Sequence, residues 1–138
     1  MKGRKRHILV DTEGLLIRVV CLPADIQDWD GAEDLFLVSQ PLCPRLELVW
    51  ADSAYGKADL PEWAEQSCGW RLAIVSRPAE ARGFVVVRRR WAVERTFAWL
   101  GRNRRLSKDY EELAETTEAW VYAAMTRLML RHLAPQAA

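Results

Sequence analysis

The stretch Leu46-Glu47-Leu48-Val49-Trp50 restricts the fold of this chain more than any other. It is short and nearly all apolar, the pattern of a strand covered on both faces rather than one with a wet side. Such a strand must be packed above and below, which points to helices layered on a sheet. It also ends directly before Ala51 and Asp52, and ligand sites in open α/β sheets gather at the carboxyl ends of strands.

The neighbouring segments supply the other layers. His7 to Val10 and Leu15 to Leu22 read as two strands of an antiparallel hairpin. Asp11-Thr12-Glu13-Gly14 turns between them, with Gly14 free to take a positive φ, and Pro23 stops the second strand. Asp28-Trp29-Asp30-Gly31 leads into a helix expected over residues 32–39, closed by Pro41 and Pro44. Asp59-Leu60-Pro61-Glu62 has the form of a reciprocal cap opening a second helix. Trp70 to Val75 is a further strand candidate. Val93, Thr96, Phe97 and Leu100 then share one helical face. In a last helix, capped by Thr116 or Thr117, Trp120, Ala124, Met125 and Leu128 are expected to point inward. The 138 residues suffice for one core, so a single α/β domain over 1–138 is expected, with a sheet carrying packed helices.

Composition narrows the setting. Half of the residues are hydrophobic and 28% are charged, as in ordinary soluble domains. No apolar run approaches the roughly 20 residues that span a bilayer, and no basic, apolar leader opens the chain. The expected location is cytoplasmic, without a membrane partner. Cys21, Cys43 and Cys68 form neither a CxxC pair nor a disulfide framework, and His7 and His132 are too isolated to complete a zinc site. They read as inert thiols.

The net charge of +1 conceals an uneven distribution. Lys2-Gly3-Arg4-Lys5-Arg6-His7 is wholly basic, and most acids lie between Asp11 and Glu65. From Arg71 to Arg105 arginine dominates, opposed only by Glu80 and Glu94. A local field of this kind can hold a polyanion although the total charge is small; a solvated arginine face is the lesser alternative for any one cluster.

Two acids stand out. Asp52 sits at a strand end, where a turn-forming or capping aspartate is the simplest account. Glu94 follows Arg90 by four residues, which a surface ion pair worth about 0.3–0.5 kcal/mol explains adequately. It also stands amid arginines, with small Ala98 and Gly101 on its own helical face. Were the two carboxylates to converge, one would hold a proton unless a divalent cation neutralised them. Mg²⁺ or Mn²⁺ suits a few carboxylates, water and substrate phosphate, and a metal pair can serve phosphoryl transfer. The arginines would then position nucleic acid by its phosphates.

Several strings carry a resemblance. They are Lys2 to Thr12 followed by Gly14-Leu15-Leu16; Ala24-Asp25-Ile26-Gln27-Asp28; Val49-Trp50-Ala51-Asp52-Ser53-Ala54-Tyr55; Arg89-Arg90-Trp91-Ala92-Val93-Glu94-Arg95-Thr96-Phe97-Ala98-Trp99-Leu100; and Arg104-Arg105-Leu106-Ser107-Lys108-Asp109-Tyr110-Glu111. In order and spacing they resemble the transposase domain of the IS-five group of insertion sequences, over nearly the whole chain. The resemblance implies an RNase H-like mixed sheet with flanking helices that cuts and rejoins DNA through two aspartates and a glutamate. Asp52 matches the second aspartate, Glu94 the glutamate, and Arg90 the arginine preceding it. Lys5, Arg6, Arg89, Arg90, Arg95, Arg102, Arg104 and Arg105 are the DNA-binding candidates. The expected partners are transposon ends and target DNA, together with a second copy or the product of an upstream reading frame.

The pattern departs from the family in three places. The strand bearing the family's first aspartate would precede Lys2, so the fold is expected to be incomplete at its N-terminus. Asp11 is better explained by its turn than as a substitute ligand. Val87 replaces a frequent tyrosine, and Gly101 a basic residue with Arg102 one step on. These departures keep two alternatives in view, a non-catalytic DNA-binding module and an inactive transposase remnant.

Overall fold

The computed structural model describes residues 3–57, 59–76 and 88–134, the first four residues of the last stretch by backbone alone. Among the described residues, four strands and four α-helices follow one another in the order β-β-α-β-α-β-α-α. β1 (Arg4–Val10) and β2 (Leu16–Pro23) form the expected hairpin, pairing antiparallel from Arg4↔Pro23 to Val10↔Leu16 with an irregularity at Leu9/Val10. Its turn is closed by Asp11, whose Oδ1 accepts from the Glu13 and Leu15 N–H groups at 2.9 Å each. Gly14 takes φ +85°, a conformation that costs a residue with a Cβ about 1–2 kcal/mol.

α1 (Asp28–Ser39) starts four residues earlier than the sequence suggested, because Asp28 and Asp30 lie within its first turn, where the helix dipole favours acids. β3 (Leu48–Asp52) pairs with β4 (Arg71–Val75) in parallel, Leu48 opposite Arg71 and Asp52 opposite Val75. Their connection is α2 (Leu60–Cys68), which makes the unit a βαβ crossover. Gly69, at φ +72°, ends α2 in the αL motif, its N–H donating to the Glu65 carbonyl at 3.1 Å, and the Trp70 N–H reaches the Ala64 carbonyl at 3.3 Å. The expected reciprocal cap at the start of α2 does not form. Asp59 is itself left-handed, at φ 56°, and makes no side-chain cap bond; Pro61, which needs no N–H partner, serves the first turn instead.

Two cores result. Leu9, Leu35, Phe36, Val49, Leu60 and Trp70 are buried in the first, where the Phe36 and Trp70 rings meet edge to face at 5.4 Å. Leu16, Val19, Cys21, Leu100, Leu106, Val121 and Met125 form the second, between β2 and the last two helices, α3 (Arg88–Gly101) and α4 (Ala114–Leu133). On α4 the inward stripe is Thr117, Val121 and Met125, spaced four apart. Trp120, expected inside, is instead 42% exposed, and the Arg105 guanidinium lies 5.2 Å from its ring centre. Neither Thr116 nor Thr117 caps this helix. Leu113 occupies the cap position, and the Thr117 hydroxyl donates to Asp109 Oδ1 at 2.8 Å.

The architecture is thus mixed α/β. Among the described residues the strands form two separate sheets of two, β1–β2 and β3–β4. No described helix is long and apolar enough to cross a membrane.

Candidate active site and nucleic-acid interface

A cavity of about 690 Å³ opens between the two sheets. Ile8 and Leu9 of β1, Leu48 and Val49 of β3, Leu35 and Phe36 of α1, and Val93 and Phe97 of α3 contribute to its apolar lining. Asp52 and Glu94 both border it, as does Asp11. The fold therefore brings a strand end and a helix, remote in sequence, to one concave surface.

Each acid has a local role as well. Asp52 caps the 3-10 turn Ser53–Tyr55, its Oδ1 accepting from the Ala54 N–H at 2.9 Å. This is the turn function its position suggested; one carboxylate oxygen suffices for it. Glu94 is exposed on α3. The side chains of Arg89 and Arg90, and with them the anticipated Arg90–Glu94 pair, lie outside the described residues. Asp11 is engaged by its own turn, as expected. Among the described residues no three His, Cys, Asp or Glu side chains converge tightly enough to hold a metal ion.

The helix bearing Glu94 is fixed to the hairpin turn. The buried Thr96 hydroxyl donates to the Gly14 carbonyl and also lies 2.9 Å from the Ala92 carbonyl. The Arg95 guanidinium donates to the Glu13 carbonyl and stands 4.9 Å from the Trp99 ring centre. Arg95 is thus a structural tie as it stands, and its Nε is buried without a hydrogen-bond partner among the described residues.

Most of the other basic candidates are tied down too. Lys5 bonds the Ile26 carbonyl and Asp28 Oδ1, both at 3.1 Å. Arg6 donates to the Leu106 carbonyl at 2.9 Å. Arg105 Nε pairs with Glu111 Oε1 at 2.6 Å while its plane covers Trp120. Arg4, in the same basic string, grips Asp109 at 3.1 Å and the carbonyls of Glu111 and Glu112. Arg102 and Arg104 differ: both are exposed, and no side-chain ion pair holds either among the described residues.

A pair the sequence did not single out lies beside Asp52. His7 is 3% exposed, and its Nδ1 is 3.2 Å from the Tyr55 hydroxyl. Burial lowers the His7 pKa despite Asp28 nearby, and burial with Asp28 and Asp52 pushes the Tyr55 hydroxyl up to about 12. Gly31 makes room for the imidazole, since a Cβ there would lie 2.4 Å from His7 Nε2. A histidine within a strand-forming apolar run was the available signal.

The structure thus defines a mixed α/β protein in which acids from a strand end and a helix border one cavity. The match to known proteins is narrower. The transposase DDE domain matches residues 1–129, so this chain belongs to the DDE transposase family. It is also similar to the putative transposase for insertion sequence element IS402 of Burkholderia cepacia, at 29% identity over 126 residues. That alignment takes in 86% of this chain and 59% of the relative, so the chain spans under two thirds of the relative's length. No solved structure matches.

Proposed function

We propose that this chain acts in DNA transposition as part of an insertion-sequence transposase of the IS-five type, with an RNase H-like catalytic fold. The observation that carries the reading is that Asp52 and Glu94, in a chain matching the DDE domain over residues 1–129, border the same cavity. The donor set fits a hard divalent cation: two carboxylates leave coordination positions for water and phosphate, as Mg²⁺ or Mn²⁺ requires. Asp52 and Glu94 would hold it. When bound, such an ion stabilises charge on the phosphoryl oxygens of the DNA strand being cut and joined. The chain's own part is positional. The β3 end and the Asp52 cap orient one carboxylate, while the Thr96 and Arg95 ties set the height of α3 and so place Glu94. Exposed Arg102 and Arg104, with Arg89 and Arg90 of α3, would contact DNA phosphates and fix the register of the substrate.

The test is strand cleavage and transfer with Mg²⁺ or Mn²⁺, using the chain joined to a segment that corresponds to the part of the IS402 relative it does not cover. Cutting that is abolished by Asp52→Asn and by Glu94→Gln is the expected outcome. Cutting that survives both substitutions removes these residues from the chemistry.

A second reading has its own observation. Asp52 and Asp11 both spend a carboxylate oxygen on closing turns, which structural acids do. On that reading the chain is a DNA-binding module without catalysis. DNA affinity that falls with salt, together with no cutting by the joined protein, favours it.

A further inference from the structure

We infer that Tyr55 donates its hydroxyl hydrogen to a phosphate oxygen of DNA in the cavity beside Asp52, with buried His7 as the positioning residue that aims it. The inference rests on the transposition reading, which supplies the DNA. It adds a contact that neither Asp52 nor Glu94 makes.

The turn that presents Asp52 also presents Tyr55. Asp52 ends β3 in register with Val75 of β4, and its Oδ1 caps the 3-10 turn Ser53–Tyr55 at the Ala54 N–H. Tyr55 therefore starts from a fixed point, and it borders the same cavity as Asp52 and Glu94. Its half-buried ring meets the His7 ring edge to face, with centroids 6.3 Å apart. Among the described residues, His7 Nδ1, at 3.2 Å, is the one hydrogen-bond partner of the hydroxyl. Two acids act on that hydroxyl, Asp28 and then Asp52. Asp28 is held by Lys5 at 3.1 Å and does not border the cavity, whereas Asp52 does.

The tautomer of His7 sets where the phenolic hydrogen goes. Burial lowers the His7 pKa, so at neutral pH the ring carries a single proton on one of its two nitrogens. Nε2 is buried and has no hydrogen-bond partner among the described residues. A Cβ on Gly31 would collide with Nε2, so the hydrogen that stands in that direction on Gly31 faces this nitrogen. A lone pair accommodates such a C–H as a weak acceptor. An N–H would instead meet hydrogen with hydrogen and remain an orphaned buried donor, the rarer and more costly arrangement. The proton therefore sits on Nδ1, and Nδ1 donates to Tyr55 Oη. Having accepted from His7, Oη must send its own hydrogen elsewhere. Burial and the two acids push the Tyr55 hydroxyl up to about 12, so it keeps that hydrogen throughout the neutral range. His7 does not border the cavity and Tyr55 does, so a hydrogen turned away from His7 is offered to the cavity. The acceptor that DNA would bring beside Asp52 is an anionic phosphate oxygen, with which a neutral phenol forms a charge-assisted bond.

Two measurements test this. In the chain alone, nitrogen NMR of the imidazoles at about pH 8, where His7 is neutral, should show Nδ1 protonated and Nε2 bearing the lone pair. His132 is the only other histidine, so His7→Asn assigns the signals. An Nε2-protonated ring overturns the inference, because Tyr55 would then give its hydrogen to His7. In the joined protein, Tyr55→Phe should lower the cleavage rate at saturating DNA by about 10- to 100-fold, the worth of a hydrogen bond to a charged oxygen. The half-saturating DNA concentration should shift by less than about threefold. His7→Leu should match that loss. His7→Asn, whose amide N–H can take the place of the Nδ1 donor, should recover most of the rate. A pair that serves packing alone would lower the melting temperature in these variants and leave the rate at the parent value, which refutes the contact. A parent joined protein that cuts no DNA refutes the transposition reading itself, whereas a parent that cuts no faster than Tyr55→Phe refutes only the role of Tyr55.

Discussion

Replacing Gly14 with alanine should loosen the joint that holds α3, and its cost can be worked from the contacts. Gly14 has φ +85°, so a Cβ first incurs the left-handed penalty of about 1–2 kcal/mol. That Cβ would then lie 2.9 Å from Thr96 Oγ1 and 3.2 Å from the Ala92 carbonyl. The Thr96 hydroxyl cannot swing aside freely, since it is buried and donates to the Gly14 carbonyl. Overpacking of a fixed site adds about 1–3 kcal/mol, which brings the total to about 2–5 kcal/mol. Urea unfolding followed by tryptophan fluorescence should show a lower midpoint with an unchanged slope. Thr96→Val, which removes the same tie from the other side, should cost about 1–3 kcal/mol, and the double variant less than the sum because the residues touch. In the joined protein, a displacement of Glu94 by about 1 Å should lower strand cleavage by up to about 100-fold. A Gly14→Ala protein within about 0.5 kcal/mol of the parent would refute the reasoning, because the turn would then not be seated on α3.

Other outcomes follow from the same structure. Burial pushes the Asp109 carboxyl up, but the Thr117 hydroxyl, the Glu111 N–H and Arg4 together outweigh it and hold the pKa below the usual range. Its contribution is therefore complete above the unfolded value and lost as pH falls through the folded one; Asp109→Asn should flatten the acid limb of a stability–pH curve. His7 acts in the same direction nearer neutrality: burial lowers its pKa, so the unfolded chain takes up the proton first and stability declines as pH drops below about 6.5. The Cys21 thiol, pushed up to about 12 by burial and then Glu118, should resist alkylation in mildly alkaline buffer until the protein unfolds, as mass spectrometry would register. Arg102→Ala with Arg104→Ala should reduce the slope of log DNA affinity against log salt by about 2, whereas Arg105→Ala should leave the slope unchanged and cost at most about 1 kcal/mol of stability.

The strands and helices were legible where one rule decided them. The apolar run at residues 46–50 marks β3, and the Gly14 turn joins the hairpin, because burial on both faces and a positive φ leave few alternatives. Helix starts were misjudged where side-chain capping was assumed. Asp59 has the right residue type for a cap, but its own left-handed backbone turns the carboxylate away from that role. Trp120 was misplaced for a different reason. Hydrophobicity suggested the core, yet the Thr117–Val121–Met125 stripe fills the contact with β2, and Arg105 offers the indole a partner at the surface. For the candidate site, sequence located Asp52 and Glu94 but could not show that they border a common cavity, which depends on how α3 seats on the hairpin. It also could not separate arginines consumed by carbonyls, such as Arg6 and Arg95, from exposed ones such as Arg102 and Arg104.

The bonds from Tyr122 and Glu118 to the outer edge of β2 have a consequence for how the chain is made. The hairpin can pair within microseconds of emerging, but the residues that close its far edge are encoded about a hundred positions later. At ordinary translation speed, that edge waits roughly 5–20 s for α4. Over this interval the nascent chain carries an open strand beside an unfilled core, a state prone to pairing with whatever extended segment is near. Chaperone demand and yield should therefore depend on how quickly the codons for α4 (Ala114–Leu133) are read, and slowing them should cost more soluble protein than slowing those for β1.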